Sequence, residues 1–229
     1  MCEVPGYYQH PRSEVQALVP PSVQCVVDVG CGAGSLGRAL KAARPGLTVR
    51  GVELMPEPAA LAVQHLDAVA CASAEAPPPM GWPAPDCLIF ADVLEHLADP
   101  WAALRTWTEW LQPGGTVVLS IPNAAHHSML GPLLRGHLHY TDGGVLDRTH
   151  LRFFTRDTAL TLVAQAGLRV VRVERQLSFP FHGALRNLIR LWGRARARRE
   201  RPEGCRPGLT RFLLDYSTIQ FLILAEKAE

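Results

Sequence analysis

Lysine is almost missing from this chain: only Lys41 and Lys227 occur, so nearly all positive charge is arginine. With 23 basic and 21 acidic residues the formal charge is +2, a balance that by itself neither demands nor excludes nucleic acid. The six cysteines (Cys2, Cys25, Cys31, Cys71, Cys87, Cys205) contain no CxxC pair. Several sit in apolar runs where a thiol behaves as a small hydrophobe, so they read as reduced. No run reaches the ~18 apolar residues of a membrane span, and Met1 to Arg12 has no apolar core of signal-peptide length, so a cytoplasmic setting is expected. Repeats and low-complexity tracts are absent as well. What is there is 229 residues, 48% hydrophobic, enough for one α/β domain over 1–229 without a metal or disulfide staple.

The chain is organised around Val26-Val27-Asp28-Val29-Gly30-Cys31-Gly32-Ala33-Gly34-Ser35, an apolar run broken by alternating glycines and followed by a helical pattern. It reads as a strand, a tight turn and a helix start. Glycines lack Cβ, so a ligand can lie against the backbone at the strand's C-terminal end. Strand one is expected over 23–29, a helix over 36–43, and strand two over 48–54. The second strand ends at Glu53, about twenty residues past the turn, where an acidic side chain takes both ribose hydroxyls of a nucleotide-like ligand.

A helix at 56–66, a short strand at 67–71 and a proline-rich connector from Pro77 to Pro85 follow. An apolar strand is expected at 86–90, then a helix at 101–111 whose Trp101, Leu104, Trp107, Trp110 and Leu111 pack in a core, then a strand at 116–121. This alternation calls for a parallel sheet with helices on both faces.

Asn123 to Thr155 has no clear period and is rich in turn residues and histidine (His126, His127, His137, His139, His150). Irregular stretches of that length usually carry function. Beyond it come a helix at 156–166, a strand at 168–173 and a last strand within 212–225. Residues 1–22 read as an N-terminal flap whose Arg12 closes on a ligand carboxylate. Residues 182–211 read as a second substrate-side insertion beside 123–155. There Arg186, Arg190, Arg194, Arg196, Arg198, Arg199 and Arg201 flank an apolar side suited to an anionic membrane or anionic substrate. No aromatic-and-basic sheet motif accompanies them, so nucleic acid is not expected.

Gly32-Ala33-Gly34-Ser35-Leu36-Gly37 also satisfies GxGxxG, so a nicotinamide-dependent oxidoreductase using Gly32, Gly34 and Gly37 is one alternative, although Gly30 already ends the strand. A non-catalytic cofactor-binding module with an anionic partner is another. More specific is the ordered set of Val26 to Gly34 with Asp28, then Glu53, then Asp86 and Pro113-Gly114-Gly115. It resembles the motifs of class I S-adenosylmethionine-dependent methyltransferases over nearly the whole chain. Ala91-Asp92-Val93-Leu94-Glu95-His96-Leu97 and Leu146-Asp147-Arg148-Thr149-His150-Leu151-Arg152-Phe153-Phe154-Thr155 look like the small-molecule branch that includes ubiquinone-type O-methyltransferases.

That resemblance implies a Rossmann-like three-layer α/β sandwich, its seven-stranded sheet mostly parallel with an antiparallel last strand. It implies S-adenosylmethionine as cofactor and a small-molecule acceptor. Carried over by position, the turn Gly30, Cys31, Gly32 and Gly34 passes under the methionine part, with Asp28 holding the ammonium. Glu53 takes the ribose hydroxyls, Leu54 packs on the adenine, and Ser73 and Ala74 lie at its amino edge. Phe90, Ala91 and Asp92 line the path to the acceptor. In the ubiquinone-type relatives the positions of Asp92, Glu95 and His96 look like a divalent-metal site, but the adjacency of Glu95 and His96 restricts convergence and no metal is expected here.

Methyl transfer to a hydroxyl needs a base, and an imidazole titrates near neutrality. His150 and His96 are the expected bases. Arg148, Arg152, His126 and His139 are expected to contact the acceptor, the arginines through carboxylate or phosphate.

Overall fold

The computed structural model describes residues 11–178 and 209–228. Seven strands form one sheet: β1 (Cys25–Val29), β2 (Thr48–Glu53), β3 (Ala68–Cys71), β4 (Cys87–Ala91), β5 (Thr116–Pro122), β6 (Leu168–Leu177) and β7 (Thr218–Lys227). Their order is β3-β2-β1-β4-β5-β7-β6. Pairings from β3 through β5 are parallel, whereas β7 runs antiparallel to both β5 and β6. The last strand alone is therefore reversed, as the family resemblance implied.

The three layers follow from alternation along the strands. Val27, Val29, Leu88, Phe90, Val117, Leu119, Phe221 and Ile223 enter one buried cluster, with Leu104 and Trp107 of α4 (Pro100–Trp110) and Ala159 and Leu162 of α6 (Arg156–Gln165). The intervening Val26, Ile89, Val118 and Leu222 enter the other. They meet Val15 of α1 (Ser13–Gln16), Leu36 and Leu40 of α2 (Ser35–Ala43) and Ala62 of α3 (Pro56–Ala62). Both faces of the sheet are covered, so its strands are near-continuously apolar.

Local chemistry sets the helix ends. Asp99 caps α4 by accepting from Ala102 N at 2.9 Å, with Pro100 at the first turn. Thr155 and Thr158 form a reciprocal capping box on α6. Within α2, a Cβ on Gly37 would stand 2.3 Å from Leu66 Cδ2 and 2.9 Å from Val49 Cγ1. The third glycine of the GxGxxG pattern thus serves close helix-to-sheet packing.

Three expectations are corrected. The 123–155 stretch contains a helix, α5 (His127–Leu134), despite Pro132 inside it. A further helix, α7 (Leu209–Ser217), occupies the first part of 212–225, and β7 begins only at Thr218. The tryptophan stripe is not uniformly core: Trp107 is fully buried, but Trp101, in the first turn of α4, is 39% exposed. Residues 1–10 of the flap and the arginines from Arg186 to Arg201 lie outside the described residues. Among the described residues no helix is long and apolar enough to cross a membrane.

Candidate active site

β1 has β2 on one side and β4 on the other, so successive connections diverge here and open a crevice beyond the strands' C-terminal ends. The glycine turn lines it. Gly30 adopts φ +80°, and a Cβ there would stand 2.4 Å from Val93 Cγ2, so glycine lets the segment after β4 close on the turn. Gly30 N and Cys31 N donate to Val52 O at 2.7 and 3.0 Å. Glu53 lies behind the turn, its Oε2 accepting from Gly32 N at 2.8 Å and its Oε1 from Met55 N at 2.9 Å. Each oxygen keeps a lone pair for a further donor.

Asp28 is buried in β1, and burial pushes its carboxyl up to about 7, opposed by the Arg12 guanidinium and helped by the Glu53 carboxylate. A cation bound at the turn would favour its ionised form. The buried Cys31 thiol is pushed far up by the same desolvation, so it is not a thiolate. Leu54, 62% exposed, and Met55 offer an apolar surface beside Glu53. Ser73 Oγ accepts from Glu75 N at 3.1 Å, and the Ala74 carbonyl accepts from Trp107 Nε1 at 2.8 Å. Phe90 is a correction: its ring is fully buried edge-on against Trp107, because β4 turns it into the α4 side of the core, and it presents no surface to the crevice.

Asp92 follows Ala91 at the end of β4 with φ +58°, a strained conformation for a residue with a side chain. Its carboxylate accepts from Ser120 Oγ at 2.8 Å, from Gln220 Nε2 and from the Arg12 guanidinium. Beside it lies a cavity of about 190 Å³, lined among others by Arg12, Asp92, Glu95, Asp147, His150 and Gln220.

Glu95 sits on the 3-10 turn (Leu94–His96) after β4, is 1% exposed, and has no hydrogen-bond partner on either carboxylate oxygen in any other of the described residues. Burial, then the Asp92 carboxylate, push its carboxyl well above the usual range, and its own backbone amide and Arg12 offset this only in part. Its Oε1 is 4.0 Å from His150 Nε2. His150 Nδ1 is 3.1 Å from the Val145 carbonyl, which can only accept, so Nδ1 carries the proton and Nε2 the lone pair. Burial, then the neighbouring His96, lower the pKa of His150, which holds the ring neutral. His96 is fixed likewise. The Thr149 hydroxyl donates to Asp147 Oδ1 at 2.7 Å, so at 3.1 Å from His96 Nδ1 it accepts.

Several expected acceptor contacts are not in this cavity. Arg148 points to solvent and pairs with Asp142 at 2.8 Å, and Arg152 is spent on the Ala98 and Leu151 carbonyls. Arg148 lies in the turn that His150 N closes on the Asp147 carbonyl at 3.1 Å, so the backbone is not extended here and the spacing of two does not bring the three side chains to one side. His126 is buried as the cap of α5, with Nδ1 accepting from Ser128 N at 3.3 Å. His139 is exposed, stacked with His137. Of Asp92, Glu95 and His96, the Asp92 carboxylate accepts from Arg12, Ser120 and Gln220 and falls outside the side chains that stand near enough together to share an ion. One atom each of Glu95, His96 and His150 lies within 4.8 Å of the others instead. Gln176, Ile219 and Gln220 also line the cavity, and sequence reading missed them, since nothing marks a polar residue on an ordinary strand.

The fold and this crevice define a Rossmann-like α/β protein with the glycine turn and strand-end acid of a nucleotide-like cofactor site. A family model described as a methyltransferase domain matches residues 6–173, and the chain belongs to that family, as a class I S-adenosylmethionine-dependent methyltransferase. The ubiquinone biosynthesis O-methyltransferase of Xanthomonas campestris pv. campestris (strain B100) is 35% identical over 109 residues, 43% of this chain and 43% of that protein. That of Cereibacter sphaeroides (strain KD131 / KCTC 12085) is 30% identical over 167 residues, 68% of this chain and 64% of that one. The chain therefore spans less than two thirds of the length of these relatives. Among solved structures, a putative methyltransferase from Haloferax volcanii in complex with the activator Trm112 has a TM-score of 0.64 at 17% identity, over 97% of this chain and 91% of that one. Human N-acetylserotonin methyltransferase in complex with its S-adenosylmethionine cofactor has a TM-score of 0.57 at 20% identity, over 95% and 51%. Both show the fold.

S-adenosylmethionine is the cofactor. The donor set suits it: a buried carboxylate at Asp28 for an ammonium, the anchored Glu53 carboxylate for ribose hydroxyls, and Leu54 with Met55 for a flat apolar ring.

Proposed function

We propose that this protein transfers the methyl group of S-adenosylmethionine to a hydroxyl oxygen of a small-molecule acceptor seated in the 190 Å³ cavity, with His150 Nε2 taking the proton. The observation that carries this reading is the His150 lone pair, fixed by the Val145 carbonyl and facing the cavity beside the end of β4. The cofactor, when bound, supplies a sulfonium methyl already activated by positive charge. Gly30, Cys31, Gly32 and Gly34 lie under its methionine part and Asp28 holds the ammonium. Glu53 takes the ribose, Leu54 and Met55 take one adenine face, Ser73 and Ala74 border its amino edge, and Ala91 and Asp92 separate cofactor from acceptor.

The chain's own contribution is mostly positional, since methyl transfer is an in-line displacement that gains from orientation in a dry pocket. Asp92, locked by Arg12, Ser120 and Gln220, forms a fixed wall. The 123–155 segment supplies Val145, Asp147 and His150, so it shapes the acceptor side. The relatives named ubiquinone biosynthesis O-methyltransferases support oxygen as the methylated atom.

Calorimetry with S-adenosylhomocysteine, then incubation with S-adenosylmethionine and a panel of phenols, alcohols and amines, tests the reading. Binding followed by an O-methylated product is expected. Folded protein that does not bind S-adenosylhomocysteine, or that methylates only nitrogen or carbon, overturns it.

A further inference from the structure

Glu95 has no counterpart in the chemistry so far. It is a carboxylate at 1% exposure in a cavity wall, with neither oxygen bonded to another residue. Left so, it forgoes the hydrogen bonds that a buried carboxyl normally makes. The other acidic groups of the cavity are provided for: Asp92 by Arg12, Ser120 and Gln220, and Asp147 by the Thr149 amide at 2.8 Å and hydroxyl at 2.7 Å. Arg12, the cation of this wall, is committed to Asp92 and Glu14. Arg148 and Arg152 stay outside. Among the described residues the cavity wall sets three acidic side chains against one guanidinium. Burial holds Glu95 toward its neutral form, and a cation seated against it favours the carboxylate, which an anionic acceptor of the kind the arginines of 123–155 suggested would not.

We propose that the acceptor is an amine-bearing alcohol or phenol whose protonated amino group is received by Glu95 while its hydroxyl meets His150 Nε2. This rests on the reading of the cavity as the acceptor site. Glu95 Oε1 lies 4.0 Å from His150 Nε2, so one small molecule can set an ammonium against the carboxylate and its hydroxyl against the imidazole lone pair. Burial keeps the His150 ring neutral, so it does not repel the cation.

The test uses three probes of one shape and different charge, benzylamine, benzyl alcohol and benzoate, titrated calorimetrically into the full chain saturated with S-adenosylhomocysteine. Benzylamine is expected to bind at least tenfold more tightly than benzyl alcohol, with benzoate weakest. Glu95→Gln, equal in shape, should lower benzylamine affinity at least tenfold and leave benzyl alcohol within twofold. Equal or tighter binding of benzyl alcohol or benzoate by the wild-type protein overturns the proposal, whatever the variant's folding. So does benzylamine binding indifferent to Glu95→Gln, or micromolar Mg²⁺ or Mn²⁺ binding that Glu95→Gln abolishes. Loss of O-methyl transfer with the charge ranking intact would instead count against the proposed reaction.

Discussion

Glu95 Oε1 and His150 Nε2 face each other at 4.0 Å, a carboxylate without a partner opposite an imidazole lone pair. His150 comes from the irregular segment and Glu95 from the turn after β4. The two are joined through the backbone, because Leu151 N and Arg152 N both donate to the Glu95 carbonyl, at 2.8 and 3.0 Å. The strand end therefore sets where the His150 imidazole stands.

Replacing His150 by alanine should lower kcat for a hydroxyl acceptor by about 10²–10⁴, the usual loss of a general base. The affinity for S-adenosylhomocysteine should change less than twofold, because His150 lines the cavity beside Asp92 and not the glycine turn. Steady-state kinetics and calorimetry check both, and weakened cofactor binding would place His150 elsewhere.

Asp28 links cofactor binding to pH. Its carboxyl is raised to about 7 by burial, and the ionised form is the one that holds an ammonium. S-adenosylhomocysteine affinity should fall about tenfold from pH 8 to pH 6, and Asp28→Asn should flatten that dependence. In the free protein the sign reverses. Between 3.8 and about 7 the native state binds more protons at Asp28 than the unfolded chain, so this residue lowers stability as pH rises through that window.

Glu53→Ala removes an acceptor and also releases the amides of Gly32 and Met55. S-adenosylhomocysteine should bind ~1–3 kcal/mol more weakly. Glu53→Gln, which keeps one carbonyl acceptor, should lose less. Titrating both against the wild type separates turn order from direct contact.

His126 offers a stability test away from catalysis. Burial, then the adjacent His127, lower its pKa from 6.5 to about 4. The unfolded chain then binds more protons between those values, so the His126 contribution is complete above 6.5 and lost as pH falls toward 4. That amounts to roughly 3 kcal/mol. Urea unfolding at pH 7 and pH 4.5 should show the loss, and His126→Asn, which still caps α5 but does not titrate, should show a smaller one.

The sheet was legible because buried parallel strands leave near-continuous apolar runs, as at 87–90 and 117–121, and because the glycine turn, Asp28 and Glu53 belong to one local βαβ unit. α5 escaped notice since Gly131 and Pro132 dilute an eight-residue helix. The histidines could not be sorted by spacing. His126 caps α5 and His150 lines the cavity, and neither place is marked by the residues beside it in the chain. Gln176, Ile219 and Gln220 were invisible because the cavity joins them to Asp92 across the sheet, not along the chain.

The position of β7 bears on the order in which the site comes into being. The cofactor crevice is complete in sequence once β4 and β5 have been made. The cavity beside Asp92 also takes Gln176 from β6 and Ile219 and Gln220 from β7, and β7 must slot between β5 and β6 before β6 can join the sheet. During synthesis, a chain that has reached β6 holds the glycine turn, Asp28 and Glu53, yet not the β7 residues of the cavity wall. Gln220 reaches Asp92 only when β7 docks, and with it the second half of the site closes.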